Sequence, residues 1–485
     1  MRRVSTQQAT AAPPRVSRFT AALEENGLMV VVLGAFAIVL LVSVRRGLGG
    51  DGWLALVSGR WIVQHGLPSH DTLTTMTHGR RWTDQQWLGQ LALYGLWRLG
   101  GIKLAMIVHA LLATSGLAGA ALIAKKHGAT ARSVTWIAIL AMITYYPVAA
   151  VMRTQAFAFP LFAATLWLTL EDARRPSRRV FLTLPLLALW ANLHGSVLLG
   201  CGLVALLGLV SMVQRRRPSG RGLALLIAPW LCIFVSPYVL HLPAYYQKVL
   251  LGSDFKHLVT EWAPTTLMPV TAPMFLLVLG GLWMLGRNAR TLPVYDQVAF
   301  VVMAVISFQA IRNIAWIGLV ALAVLPPLID RMRSPVEEPK RLNRILALVI
   351  IGSALISLAG VAAKQTNWFT HAFPGGGTKA AARAAGGKGR VFATSPYADW
   401  VLWEEPQLAG RVAFDTRFEL LSTAQLDALG RIENAAGNWR KSLRGYSVFV
   451  LGRKNDDTLE HALRHDLKAR VVFSSPQVVV LRRPG

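Results

Sequence analysis

The chain has 485 residues, of which 53% are hydrophobic and only 15% are charged, and its formal net charge at pH 7 is +27. Apolar runs of about 17 to 23 residues recur along it and are separated by arginine clusters, a pattern that excludes a soluble globular protein and indicates a polytopic membrane protein. In such a chain lysine and arginine serve first as topological anchors, and no nucleic-acid motif accompanies them. We therefore expect no nucleic-acid partner.

The first apolar run follows a basic leader, residues 1–27. No small-residue cleavage site follows the run 28–44, so we expect a retained membrane helix and a cytoplasmic N-terminus. Ten further helices are predicted at 102–124, 134–151, 156–170, 180–192, 196–213, 222–240, 272–286, 297–310, 315–329 and 345–363. Residues 28–363 are thus predicted to form a bundle of about eleven spans.

The distribution of positive charge orients this bundle. Alternating the spans from a cytoplasmic start places 22 of the 51 lysines and arginines on short inner segments. The short outward turns hold only Arg153, Lys248, Lys256 and Arg312, as the positive-inside rule requires. An odd span count leaves residues 364–485 outside the cytoplasmic membrane.

The tail begins with a Gly- and Ala-rich linker, 364–390, and continues as a separate outer domain, 391–485. The pieces "RVFATS", "RVAFDT", "YSVFVLG", "ARVVFSS" and "VVVLRR" are predicted strands, whereas "YADWVLWEE", "TAQLDALGRIENA" and "DTLEHALRH" are predicted helices. The predicted fold is therefore mainly α, a transmembrane helix bundle with a small C-terminal extracytoplasmic α/β domain.

Polar residues collect on the outer side of this topology. The first outer loop, about 45–101, carries three acids and has four tryptophans in its stretch 50–91, and its pieces 53–65 and 87–99 are amphipathic, as expected at a membrane interface. Arginine inside or at the end of a span normally faces a protein interior or a wet cavity. The candidates on this side are Asp51, Asp71, Asp84, Arg153, Asn192, His194, Glu261, Trp262, Arg312 and Asn313.

Several of these residues lie in motifs that resemble a family. An Asp soon after the first span, then "GRWIVQHGLP", "QWLGQL", "RTQAFAFPLF", "LWANLHGS" and "VFATSPYADWVLWEEP", look like bacterial membrane proteins of the GT-C superfamily of glycosyltransferases. The resemblance covers nearly the whole chain. It implies transfer of a sugar from a polyprenyl-phosphate donor to an envelope acceptor on the outer face of the cytoplasmic membrane, with catalytic acids in the first outer loop.

Under this resemblance each candidate has an expected role. Asp51 is the first choice for the base that takes the proton of an acceptor hydroxyl, with Asp71 second and Asp84 third. The leaving phosphate needs cations or hydrogen-bond donors, a role expected of Arg312, Arg153 or His194. Substrate contacts are expected from Asn192, Glu261, Trp262 and Asn313.

Structural explanations compete with the catalytic ones for the three acids. Asp51 is also a suitable N-cap for a helix that begins at Gly52, Asp71 follows a turn-like segment, and Asp84 is placed to start the next helix. Some GT-C members bind a divalent metal through adjacent acids, whereas Asp51 stands alone in "GGDGW". A Mg²⁺ or Mn²⁺ cofactor therefore stays an open alternative.

The other candidates have alternatives as well. For His194 at a helix end, a hydrogen bond to backbone is the commoner explanation when the resemblance is set aside, and Glu261 either pairs with Lys256 or binds acceptor or metal. In the tail, Asp415 and Arg417 form either a ligand site at a strand end or a structural ion pair.

Two other functions compete with the transferase. A lipid or polysaccharide transporter would carry polar groups along helix interiors near the bilayer midplane, often in inverted repeats. A non-catalytic envelope-assembly protein would tolerate the loss of every acid in the first outer loop.

Overall fold

The computed structural model describes residues 18–251, 260–334 and 339–484, and most of them are helical. Within these ranges fourteen α-helices form a bundle: α1 Arg18–Gly47, α2 Gly50–His65, α3 Trp87–Lys126, α4 Ala131–Ala149, α5 Ala158–Arg174, α6 Thr183–Leu193, α7 Val197–Arg215, α8 Gly220–Cys232, α9 Leu242–Leu251, α10 Ala272–Asn288, α11 Val294–Gln309, α12 Ile314–Val324, α13 Pro326–Met332 and α14 Lys340–Ala362.

This bundle makes the chain a membrane protein. Among the described residues, six helices are long and apolar enough to cross a membrane, and a seventh span results if the α12 and α13 segments, bent by 44° at their junction, count as one. The count of about eleven spans and the orientation stay predictions. The first part of the predicted leader, residues 1–17, lies outside the described residues.

Each of the eleven predicted helices corresponds to helix in the structure, but some bounds differ. Helix α1 already begins at Arg18, so the end of the predicted leader is helical. Helix α8 ends at Cys232. A continuous helix to 240 is disfavoured because Pro237 has no N–H group to donate to the carbonyl of Ile233 and disfavours a helical conformation in Ser236. The predicted pieces 87–99 and 102–124 join in α3 across a kink at Gly100 and Gly101, and a φ of 68° at Gly101 is a conformation that glycine adopts readily.

The centre of the bundle around α12 is apolar. All eleven residues of α12 are buried, as expected for a helix that is apolar on every side. Around it, the rings of Phe159 and Phe162 lie 5.3 and 4.9 Å from that of Trp316, and Trp190 completes the cluster at 6.2 Å. This aromatic cluster closes the bundle beneath the outer loops.

The tail forms a small α/β unit. Its helices are α15 Thr366–Phe369, α16 Gly375–Ala385, α17 Tyr397–Glu404, α18 Thr423–Glu433, α19 Trp439–Ser442 and α20 Asp457–Asp466, and its strands are β1 Arg390–Ala393, β2 Tyr446–Gly452, β3 Arg470–Ser474 and β4 Val478–Arg482. The sheet has the order β1-β2-β4-β3; β1 pairs parallel with β2, and the other two pairings are antiparallel. Four of the five predicted strands and all three predicted tail helices are confirmed.

The fifth strand prediction, "RVAFDT", was wrong. Val412 makes only single bridges, one to Val391 of β1 and one to Thr74 of the first outer loop. The backbone N–H groups of Thr75 and Met76 donate to Val412 and Ala413 at 2.8 and 3.0 Å. This segment is therefore shared between the tail and the outer loop instead of joining the sheet.

The tail packs against the bundle, and its division from the bundle as a domain of its own stays a prediction. Trp403 of α17 packs against Trp53 of α2 and against Trp97 of α3, with ring centroids 6.3 and 4.8 Å apart. Arg60 of α2 stacks on Trp403 and donates to its carbonyl at 2.9 Å. The Gly- and Ala-rich segment 364–390 contains α16, which buries Ala381 against the core. Alanine favours helix and allows close packing, which explains this outcome.

Candidate active site

A cavity of about 590 Å³ lies where α2, one end of the bundle and the tail meet. Seven of the ten candidates predicted from the sequence line it: Asp51, Arg153, His194, Glu261, Trp262, Arg312 and Asn313. They come from five separate segments of the bundle. The tail adds a further wall that includes Thr416, Arg417, Phe418 and Glu419.

Asp51 lies in the first turn of α2 and faces this cavity. The N-cap position belongs to Gly49, and no side chain caps the helix, so the capping explanation of Asp51 was wrong. Its carboxylate is 43% exposed, and Oδ2 lies 3.0 Å from Nε of Arg153. The neighbouring Gly50 permits a close approach of the tail, because a Cβ atom there would lie 2.4 Å from Cγ2 of Thr416.

Arg153 holds two carboxylates at once. Its Nη1 donates to Oε2 of Glu261 at 2.6 Å, Nη2 donates to Oε1, and Nε forms the ion pair with Asp51. Burial alone would raise the pKa of Glu261, but the hydrogen bonds and charge of Arg153 outweigh burial and lower it. Lys256, the alternative partner of Glu261, lies outside the described residues. Arg153 thus orients the two acids and has little capacity left for a phosphate.

Arg312 is differently placed. Its guanidinium carbon lies 4.3 Å from the ring centroid of Trp262, a cation–π contact, and no hydrogen bond or ion pair joins it to another described residue. Asn313 beside it donates to the carbonyl of Ile306 at 3.1 Å. Arg312 is therefore available to bind an anion in this cavity.

His194 ends α6 and is held by Ser196. The Ser196 N–H donates to Nδ1 of His194 at 3.1 Å, so the neutral ring carries its proton on Nε2. That Nε2–H has no partner among the described residues. It supplies a neutral donor to the cavity, in addition to the backbone contact that the structural explanation expected.

Three predicted site residues do not line the cavity. Asn192 accepts from Nε1 of Trp87 at 2.8 Å and donates to the carbonyl of Val235 at 2.7 Å, so it fixes helix ends. Asp84 is buried behind the neighbouring glutamines, and burial raises its pKa to about 7. The geometry gives Asn192 and Asp84 no direct path to a ligand.

Asp71 has a structural environment. It is fully buried and accepts from Leu73 N–H at 3.0 Å and from the hydroxyls of Thr74 and Thr77 at 2.7 and 2.6 Å. Nη2 of Arg417 in the tail donates to its Oδ1 at 2.6 Å. Burial would raise the pKa of Asp71, but Arg417 and the two threonines lower it. A carboxylate with these partners positions the loop and is poorly suited to accept a proton.

Arg417 connects the tail to the outer loop. It pairs with Asp415 as well as Asp71 and stacks at 4.0 Å on Trp82. Arg417 therefore fits both explanations offered by the sequence, because it belongs to a buried ion pair and also lines the cavity that could hold a ligand. Burial would lower the pKa of Arg417, but the two carboxylates outweigh burial and raise it.

Sequence reasoning missed other lining residues, notably Gln85, Tyr245 and Glu419. Burial raises the pKa of Glu419 to about 7, so this tail carboxyl changes charge near neutrality. The "FDTRFEL" segment had pointed to the tail, but only Asp415 and Arg417 in it were weighed. Among the described residues, no three His, Cys, Asp or Glu side chains are grouped so that they could hold a metal ion.

No protein-family model matches the chain, and no curated protein matches it. Solved structures do. ArnT from Cupriavidus metallidurans bound to undecaprenyl phosphate matches with a TM-score of 0.50 at 13% identity, over 93% of this chain and 97% of that one. The archaeal oligosaccharyltransferase AglB from Archaeoglobus fulgidus, in complex with an inhibitory peptide and a dolichol-phosphate, gives 0.49 at 10% identity, over 87% and 69%. The likeness to ArnT confirms the predicted fold, a GT-C-like helix bundle with a small C-terminal α/β unit.

Proposed function

We propose that this chain is an integral-membrane glycosyltransferase that moves a sugar from a polyprenyl-phosphate donor to an envelope acceptor on the outer face of the cytoplasmic membrane. One observation carries the proposal: Asp51, a half-exposed carboxylate, and Arg312, a cation without an acidic partner among the described residues, line the same cavity. The fold supports it, since ArnT was solved with undecaprenyl phosphate bound.

In an inverting transfer the residues of this cavity have different roles. Asp51, held by Arg153, takes the proton of the acceptor hydroxyl as the acceptor oxygen bonds to the anomeric carbon. The bond between that carbon and the phosphate oxygen breaks, and the lipid phosphate leaves with the electron pair. Arg312 and the Nε2–H of His194 stabilise the negative charge that develops on this leaving group.

The volume and the walls of the cavity fit such a reaction. About 590 Å³ lies within the range of roughly 300 to 1,000 Å³ that is typical of small-ligand sites. The aromatic cluster around Trp316 closes the bundle below, which opposes the transporter alternative because a transport path needs polar groups through the interior. The proposed sugar transfer therefore takes place at one end of the bundle.

Radiolabelled-sugar transfer in vesicles tests the proposal. Asp51→Asn keeps the side-chain shape but cannot accept the proton, so we expect transfer to fall by about 10²-fold or more, while the affinity for the donor changes little. Asp427→Asn is the matched control, because Asp427 is an exposed carboxylate of α18 outside the cavity. Full transfer by purified Asp51→Asn would reject the proposed base.

A further inference from the structure

A second cavity, of about 680 Å³, lies at the end of the bundle opposite to the candidate active site. The segment Thr154–Arg174 has 21 residues and thus a length of about 30 Å, and it runs from the active-site cavity at Thr154 to the second cavity at Arg174. Under the predicted topology this end of the bundle faces the cytoplasm.

Five arginines from separate segments line this second cavity: Arg174, Arg215, Arg221, Arg290 and Arg331. Two of them are fixed by buried carboxylates. Nη2 of Arg174 lies 2.6 Å from Oδ2 of Asp296, and Nη2 of Arg221 lies 2.5 Å from Oδ1 of Asp172. Both aspartates are almost fully buried, so they hold these two arginines in place at the cavity wall.

The remaining three arginines give the cavity an excess of positive charge. Arg331 donates from Nη1 to the Thr291 hydroxyl at 2.5 Å, a neutral partner. Arg215 and Arg290 are exposed, and neither has a hydrogen bond or ion pair with any residue in the described ranges. Arginines that act only as topological anchors need not converge, whereas these meet around one concave space.

We propose that this cavity binds a phosphate-bearing anion. The planar guanidinium fork matches the oxygens of phosphate, and two or three forks around one space suit a tetrahedral group. Part of the wall between them is apolar, with Leu207, Val210 and Leu292, which suits the carbon skeleton attached to a phosphate. Two sources share this chemistry: the head group of an anionic membrane phospholipid, and a soluble phosphate ester.

The test compares two double variants of the full-length protein. Arg215→Gln/Arg290→Gln removes the two arginines that lack described partners, and because both side chains are exposed we expect the fold to persist. The control is Arg178→Gln/Arg179→Gln, which removes the same charge from exposed arginines at the same end of the bundle that do not line the cavity.

Two probes distinguish the sources. Native mass spectrometry measures retention of phosphatidylglycerol against phosphatidylcholine, and calorimetry measures binding of inorganic pyrophosphate. We expect at least one anionic probe to bind at least tenfold more weakly to the cavity variant, and to bind the control variant within twofold of the original protein. Loss of phosphatidylglycerol alone identifies a lipid ligand, and loss of pyrophosphate alone a soluble one.

Three results would overturn the inference: no binding of either anionic probe, unchanged binding to the cavity variant, or equal loss in both variants, which would indicate non-specific charge attraction. This experiment measures anion binding and does not measure sugar transfer. A negative result would therefore overturn the inferred anion site without bearing on the proposed glycosyltransferase function.

Discussion

Replacing Arg417 tests whether the buried ion cluster fastens the tail to the first outer loop. Arg417 is 3% exposed and its partners Asp71 and Asp415 are 0% and 4% exposed, so the substitution Arg417→Met leaves two carboxylates buried without a counter-charge. Breaking a buried pair from one side typically destabilises by about 3 to 5 kcal/mol. Because the cluster joins two parts of the chain, we expect this loss to weaken docking of the tail before the bundle unfolds.

Two further variants isolate the electrostatic part. In Arg417→Met/Asp71→Asn/Asp415→Asn no uncompensated charge remains, so part of the stability should return. Arg440→Met removes an arginine from the more exposed pair with Asp466 and should change stability by less than about 1 kcal/mol. Limited proteolysis of the tail, with thermal unfolding at pH 7, measures all three variants in parallel.

The pH dependence of this cluster has a defined sign. Because the folded-state pKa of Asp71 is lowered, its contribution is complete at neutral pH and is lost as the pH falls through that value. The reasoning is refuted if Arg417→Met resists proteolysis at pH 7 as well as Arg440→Met does. It is also refuted if the triple variant is no more resistant than Arg417→Met alone.

Three other variants test neighbouring groups. Arg312→Gln should weaken binding of a donor-phosphate analogue about tenfold or more, because a charge-assisted hydrogen bond contributes about 1.5 to 3 kcal/mol. Arg312→Lys should retain part of the affinity. Equal affinity of Arg312→Gln and the original protein in a direct binding assay would contradict this prediction. Glu419 becomes anionic above pH 7 and then repels a singly charged phosphodiester donor, so the affinity for that donor should fall from pH 6 to 8. The fall should be smaller in Glu419→Gln. Identical pH profiles of the two proteins would contradict this role of Glu419. Burial raises the pKa of Asp84 to about 7, so the folded state loses stability as the pH rises from about 4 to 7. Asp84→Asn should therefore raise Tm more at pH 8 than at pH 5. An equal change of Tm at the two pH values would count against a buried acid at this position.

The parts of the fold that the sequence predicts are those encoded locally. Each predicted bundle helix is a continuous apolar run, and the tail strands show β-branched residues between turn signals, so neighbouring residues contain the information. Asp51, Arg153 and Arg312 were found for a related reason, since a charged residue at the end of an apolar run stands out against its surroundings. Which charged groups meet is a different question, because it depends on packing between distant segments.

Asp71 and Arg417 illustrate that limit. They are 346 positions apart, and each has an ordinary local explanation, a turn for one and a strand end for the other. The strand prediction at "RVAFDT" failed for the same reason, since Val412 makes one bridge to Val391 of the tail and one to Thr74 in the outer loop. A local pattern records that a segment is extended but does not record which neighbour completes its hydrogen bonds.

The docking of the tail did leave one local signal. In "YADWVLWE" the apolar residues do not follow one helical face, and six successive residues of α17, 398–403, are buried. A helix that is apolar on more than one face must be covered on more than one face, and a single four-stranded sheet cannot do that. The second cover is α2, which carries Asp51. The candidate base and the tail are therefore fixed by one contact surface, so any ligand that fills the cavity between them also stabilises their association.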